Sequence, residues 1–166
     1  LHPDINIIVA DLGVNGKWSE QFKDVDVVVM LQAQIGSNNS DLFHQNNIAS
    51  SQNVLDSMKL YSVPYLIHIS SSVVESISED DYTLTKKSQE NLVLKSGIDN
   101  VILRPSLMFG WFDRKHLGWL ARLMKKIPVF PIPGDGKFMR QPLFAKDFCD
   151  IIISCIEKKI IGEVYN

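Results

Sequence analysis

The 166-residue sequence predicts an α/β protein built on a parallel sheet. Three observations carry that expectation. Apolar stretches rich in β-branched residues recur without polar alternation, at Ile5 to Ala10, Val27 to Leu31, Tyr65 to Ile69 and Val101 to Leu103. Continuous apolar strands are buried on both faces, as parallel sheets require. Helix-length segments lie between several of them, the alternation that winds a chain into strand–helix–strand units. The residues are 45% hydrophobic and 22% charged, enough for one domain with a sizeable core.

Taken in order, Ile5 to Ala10 reads as a buried strand that Asp11-Leu12 ends, and Gly13 to Gly16 makes a turn. A short helix fits Trp18 to Phe22. Asp26 opens the strand Val27 to Leu31, which runs into Gln32 and Ala33. After a polar loop at Ile35 to Ser40, Leu42 to Tyr61 reads as one long helix, with Ile48, Leu55 and Met58 on its apolar face. Val63-Pro64 breaks that helix before the strand Tyr65 to Ile69. Ser78 to Asp81 reads as a helix start, a capping hydroxyl with acids at the positive end of the dipole. Ser96-Gly97 ends the helix, and Asp99 leads into Val101 to Leu103. A helix lies within Asp113 to Lys126; Pro128, Pro131 and Pro133 then punctuate an irregular segment closed by Gly134-Asp135-Gly136. Phe148, Ile151, Ile152, Cys155 and Ile156 repeat at helical spacing, and Gly162 to Asn166 reads as a last strand.

Composition narrows the classes of function. The net charge is -2 and no basic stripe interleaves with aromatics, which argues against a nucleic-acid partner. No apolar run approaches the ~20 residues needed to cross a bilayer, so no membrane partner is expected. The only cysteines, Cys149 and Cys155, share one apolar segment and read as reduced core thiols, which suits the cytoplasm. His2, His44, His68 and His116 are scattered without a metal-ligand pattern.

The chemistry concentrates between Leu66 and Glu90. A buried strand delivers Ser70-Ser71-Ser72, an acidic loop follows, and Tyr82 and Lys86 then fall four apart at the start of a helix. That spacing puts both side chains on one face, one turn apart. An ammonium beside a phenol favours the phenolate, lowering a pKa that starts near ~10. A serine hydroxyl at the same phenol can steady the proton. Together they form an acid–base device for an alcohol or carbonyl oxygen, and hydride transfer to a nicotinamide usually accompanies it.

The order of strand, serine cluster, short loop and Tyr-x-x-x-Lys helix resembles the extended short-chain dehydrogenase/reductase family, in particular the nucleotide-sugar epimerases and dehydratases. The resemblance extends over almost all of the chain and implies a Rossmann-like doubly wound parallel sheet. It implies Tyr82 as catalytic acid/base, Lys86 as its activator and ribose ligand, and Ser71 as the serine partner with Ser72 as the alternative. Asn47, first in an Asn-x-x-x-x-x-Asn stretch, matches the residue that positions the lysine and a water. Asp11 and Leu12 match the adenine contacts, and Gln32 and Ala33 take the place of two small residues lying against the cofactor. Gln32 departs from the pattern: its bulk would crowd the cofactor or its amide would bind it. After Arg104, Pro105 and Ser106 match contacts near the nicotinamide. Arg140, with Asp147 seven residues on, matches the arginine that binds the substrate diphosphate through paired donors. Gln141-Pro142 departs from the commoner Asp-aromatic pair, and Val73-Val74-Glu75 stands where related enzymes carry Val-Tyr-Gly. Glu90 falls where the family has an acid.

The resemblance implies NAD or NADP as cofactor, a nucleotide sugar or related polyol as substrate, and an epimerase, dehydratase or reductase as the activity. Residues 1–166 would form a single partial NAD(P)-binding domain, with about 105–145 contributing to the substrate-binding region. The family's Gly-x-x-Gly-x-x-Gly turn, which cradles the pyrophosphate at a helix N-terminus, is absent from the sequence. The chain also has no initiator methionine, so a fragment incomplete at its N-terminus, binding NAD poorly and inactive alone, is expected. An open sheet edge would follow, met by edge protection or a homodimer. A dinucleotide-binding scaffold or sensor of the same fold, without catalysis, is the alternative reading.

Overall fold

The computed structural model describes residues 4–110, 113, 117–127, 129, 131, 134–137 and 139–166. Pro128, Pro133, His2 and His116 lie outside them. The core is a parallel four-stranded sheet in the order β1-β2-β3-β6, formed by Val27–Met30, Tyr65–Ile69, Asp99–Leu103 and Val164–Tyr165. Its register pairs Val27 with Tyr65, Tyr65 with Asp99, and Ile102 with Val164. Every residue of β2 is buried, as the largely apolar stretch Tyr65 to Ile69 predicts, and His68 is buried with it.

Two packed layers cover the sheet. Side chains alternate across a strand, so Met30, Leu66 and Ile102 pack with Val54, Leu55, Met58 and Val93 of α2 (Ser50–Leu60) and α3 (Asp81–Lys95). On the other face Tyr65, Ile67, Val101 and Leu103 pack with Phe148 and Cys155 of α5 (Ala145–Lys158). Cys149, expected in the core, is instead exposed on α5, while Cys155 is buried.

The helix expected from Leu42 to Tyr61 begins earlier and changes pitch. α1 (Ser40–Phe43) is capped by the Asn39 side chain accepting from the Asp41 N–H, and a π-helical stretch, His44–Ala49, joins it to α2. Such stretches frequently mark functional sites, and this one carries Asn47. The start of α3 also differs from expectation. Asp80, not Ser78, caps it, accepting from the Thr83 N–H at 2.9 Å. The Ser78 hydroxyl donates to Asp80 instead, and with Thr83 it holds that carboxyl down to about 2.

Ile5 to Ala10 is not a strand. No described strand pairs with it, and Ile5, Ile7, Ile8 and Val9 are exposed. An apolar run becomes a strand only beside a ladder partner, and β1 pairs only with β2 among the described residues. A second, two-stranded parallel sheet joins β4 (Leu107–Phe109) to β5 (Pro142–Phe144). It brings the segment after β3 alongside the segment that follows Arg140. The amphipathic α4 (Leu117–Met124) lies between them in sequence and has no buried residue.

Candidate active site

The site grows from the carboxyl ends of the sheet strands, where ligands bind in open α/β sheets. Beyond β2 the chain turns sharply. The Ser70 N–H donates to the Leu103 carbonyl at 2.7 Å and the Ser72 N–H to the Pro105 carbonyl at 3.1 Å. Ser71 Oγ accepts from the Val73 N–H at 3.4 Å, capping a 3-10 turn over Ser72–Glu75. The serine cluster is thereby fixed against the segment after β3.

α3 brings Tyr82 and Lys86 to the same side, one turn apart. Tyr82 is half-buried. Lys86 is 1% exposed, and its ammonium donates to the Ile69 carbonyl, the last residue of β2, at 3.0 Å. Burial pushes this lysine down to about 8, with the Glu90 carboxylate one turn on opposing the drop. The lysine is therefore anchored next to the strand end that delivers the serines.

Asn47 is fully buried beside this helix. Its Oδ1 accepts from the Gln34 N–H at 2.6 Å and its Nδ2 donates to Thr85 Oγ1 at 2.9 Å. It thus ties the loop after β1 to the turn of α3 between Tyr82 and Lys86. Gln89 Nε2 donates to Ser51 Oγ at 2.8 Å, and Ser51 donates to the Asn47 carbonyl at 2.6 Å. The Gln32 amide reaches the same Ser51 hydroxyl at 3.5 Å, so its bulk turns toward α2.

Two hollows lie at this end of the sheet. One, of about 280 Å³, is lined by Ser72, Arg104, Pro105, Ser106 and Gln141 above an apolar floor that includes Leu103 and Phe148. Ser106 Oγ donates to the Gln141 carbonyl at 2.6 Å, closing its rim. The other, of about 370 Å³, is lined by Asp11, Leu12, Gln32, Ala33, Gln34 and Asn46. The structure thus gathers six of the expected cofactor residues into two groups, Asp11, Leu12, Gln32 and Ala33 in one and Pro105 and Ser106 in the other, while Tyr82 and Lys86 line neither hollow. Asp11 Oδ1 accepts from the Gly13 N–H at 2.8 Å and Oδ2 from Gln45 at 3.2 Å. Arg140 is exposed, next in sequence to Gln141.

Sequence reasoning singled out Arg104 and Glu90 only by position and missed what they do. Glu90 receives Arg104 Nε at 2.9 Å and NH2 at 2.7 Å in a two-pronged pair, while NH1 of the same guanidinium donates to Glu75. The available signal was the buried face of α3, which carries Thr83, Lys86, Gln89 and Glu90 with Val93 as its only apolar member. Polar groups at helical spacing toward a core need partners.

His68 lies within β2, beside the strand end that delivers the serines. It is fully buried, but neither ring nitrogen has a hydrogen-bond partner. Burial, helped by the Lys86 charge, pushes the imidazole down to about 3 from 6.5. Above pH 6.5 it is neutral folded or unfolded. Below that, the unfolded chain takes up a proton that the folded chain refuses. Stability is therefore expected to fall from pH 6.5 toward 3, with this residue adding up to about 1.4 kcal/mol per pH unit. Urea midpoints at pH 7.5, 6 and 5 measure the slope, and His68→Met is expected to flatten it.

The family follows from comparison with known proteins. The model of the NAD dependent epimerase/dehydratase family matches residues 1–166. The chain belongs to this family. It is 29% identical to the UDP-glucuronic acid 4-epimerase of Bacillus cereus, crystallised with NAD, with a TM-score of 0.79. The match covers 92% of this chain and 57% of that one. Two Arabidopsis thaliana proteins are also similar. A 3beta-hydroxysteroid-dehydrogenase/decarboxylase is 32% identical over 80% of this chain and 27% of its own length. A trifunctional UDP-glucose 4,6-dehydratase/UDP-4-keto-6-deoxy-D-glucose 3,5-epimerase/UDP-4-keto-L-rhamnose-reductase is 26% identical over 77% of this chain and 23% of its own length. The chain thus spans about a quarter of the curated relatives it matches. Among the described residues, no helix of this family member is long and apolar enough to cross a membrane.

Proposed function

We propose that this chain carries the acid–base machinery of an NAD-dependent epimerase, dehydratase or reductase acting on a nucleotide sugar. The observation that carries the reading is the buried Lys86, held by the Ile69 carbonyl one helical turn from Tyr82. A lysine that burial brings down to about 8 is costly to keep in a core, and perturbed groups of this kind cluster at functional sites. The nucleotide-sugar enzymes to which the chain is similar support the reading.

In this reading residues 1–166 are one partial dinucleotide-binding domain, with about 105–145 on the substrate side. Asp11, Leu12, Gln32 and Ala33 would hold the adenine end of NAD, and Pro105 and Ser106, with Lys86 and Tyr82, the nicotinamide end. Asp11, Leu12, Gln32 and Ala33 share one hollow and Pro105 and Ser106 the other, while Tyr82 and Lys86 line neither of the two. The middle of the cofactor, its pyrophosphate, needs a glycine turn at a helix N-terminus, which these residues do not contain. Bound NAD supplies the acceptor for a hydride. Tyr82 takes the proton from a substrate hydroxyl, Lys86 stabilises the resulting charge on the phenol, and Ser71 or Ser72 orients that hydroxyl. Asn47 holds the turn of α3 that carries both residues. Arg140 binds the diphosphate.

A second reading has one observation in its favour. The floor and walls of the 280 Å³ hollow include Leu103, Pro142, Leu143, Phe148 and Ile151. These suit a large apolar alcohol, and one relative is a hydroxysteroid dehydrogenase. A screen of the intact protein with NAD and NADP against UDP-sugars and 3β-hydroxysteroids decides between them. Turnover of a UDP-sugar supports the first reading, and turnover of the steroid alone replaces it with the second. Cofactor binding without turnover of either returns the protein to the scaffold class.

A further inference from the structure

Glu75 opens a connection that the acid–base residues do not use. It sits at the end of the 3-10 turn that begins at Ser72, and Arg104 NH1 donates to its carboxylate. The other edge of the same guanidinium grips both oxygens of Glu90. Glu90 lies one helical turn after Lys86 on the buried face of α3. Arg104 itself is fixed by its place after β3, where its N–H donates to the Tyr165 carbonyl at 2.8 Å. A rigid, planar cation thus bridges two acids that belong to different parts of the site. Arginine suits this role because its fork of donors is pre-organised for paired carboxylates.

We propose that Glu75 is a positioning residue, tying the Ser71–Ser72 turn through Arg104 and Glu90 to the helix that carries Lys86. The inference rests on Lys86 acting at the site proposed above. Two consequences follow from the geometry. The turn gains a further tether besides the bonds from the Ser72 N–H to the Pro105 carbonyl and from Lys87 Nζ to the Ser76 carbonyl. The charge around Lys86 is also set from a distance. Facing the ammonium are His68 from β2 and Glu90 from its own helix, with Arg104 and Glu75 behind Glu90. With Glu75 neutral, the guanidinium charge is shared by Glu90 alone, and the surroundings of Lys86 become more positive. An ammonium in more positive surroundings releases its proton more easily.

The test uses Glu75→Gln, Glu75→Ala and Glu75→Asp in the intact protein. The Glu75 side chain is 60% exposed, so these variants should fold; circular dichroism checks this. Lys86 is titrated by NMR of lysine labelled with 13C at Cε, its signal assigned by loss in Lys86→Arg. In Glu75→Gln and Glu75→Ala the Lys86 titration is expected to move down by roughly 0.5 pH units. Amides of residues 72–76 should exchange about tenfold faster in Glu75→Ala, and Glu75→Asp should restore part of both. A titration unchanged from the parent overturns the proposal, because a merely structural acid would change exchange alone. NMR needs no substrate, so a shift in a protein that turns nothing over would uphold the coupling while removing the proposed catalysis.

Discussion

Tyr82→Phe is expected to lower turnover by about 10²- to 10⁴-fold, the range that a positioned general acid–base group supplies. Cofactor affinity should hold, because the ring and its packing remain and only one hydroxyl is removed. Steady-state kinetics of the intact protein, beside a titration with NAD, separates the two quantities. The pH profile carries the same logic. Lys86 titrates at about 8, so its ammonium is present below that pH and lost above it. Turnover that depends on the charged lysine should decline as pH rises through 8. Equal turnover by Tyr82→Phe would remove the phenol from the mechanism, whatever the fate of the fold.

Arg104→Met is expected to produce the largest loss of stability among single changes at the site, about 3 kcal/mol. The Glu90 side chain is only 7% exposed and both its oxygens rest on Arg104. Removing the cation leaves that carboxylate buried with its principal partner gone. Such broken pairs cost far more than the pair contributes, because the remaining charge keeps its desolvation penalty. Glu90→Gln in the same background should recover much of the loss, since an amide carries no charge to desolvate. Urea unfolding of the single and double variants forms a cycle that isolates the coupling. An Arg104→Met midpoint within experimental error of the parent would show the pair to be solvated and inert. By contrast, Lys146 and Asp150 on the solvent side of α5 sit at 2.8 Å, and replacing either should change little, since exposed pairs contribute ~0–1 kcal/mol.

The strands at Val27, Tyr65 and Val101 were legible because largely apolar stretches admit few alternatives in a chain of this size. Tyr82 and Lys86 were legible because four-residue spacing on a helix is a local property, set by helical geometry alone. Ile5 to Ala10 misled for the opposite reason. Its pattern specifies a strand only with a neighbour, and no described strand pairs with it. Ser78 misled because three acids and a hydroxyl within four residues compete for one cap, and side-chain reach gave it to Asp80. The β4–β5 pair was invisible because each strand is only three residues long, too short to carry a periodic signal.

By itself the sequence determined the class of fold, the strands at Val27, Tyr65 and Val101, and the helix that carries a phenol and an amine one turn apart. Tertiary structure alone decided that the amine is buried against the Ile69 carbonyl, that Asn47 grips the helix between the pair, and that Arg104 joins two acids 14 and 29 residues away. The division has one physical cause. Backbone periodicity is written in neighbouring residues, whereas desolvation and charge pairing depend on which distant segments close over a group.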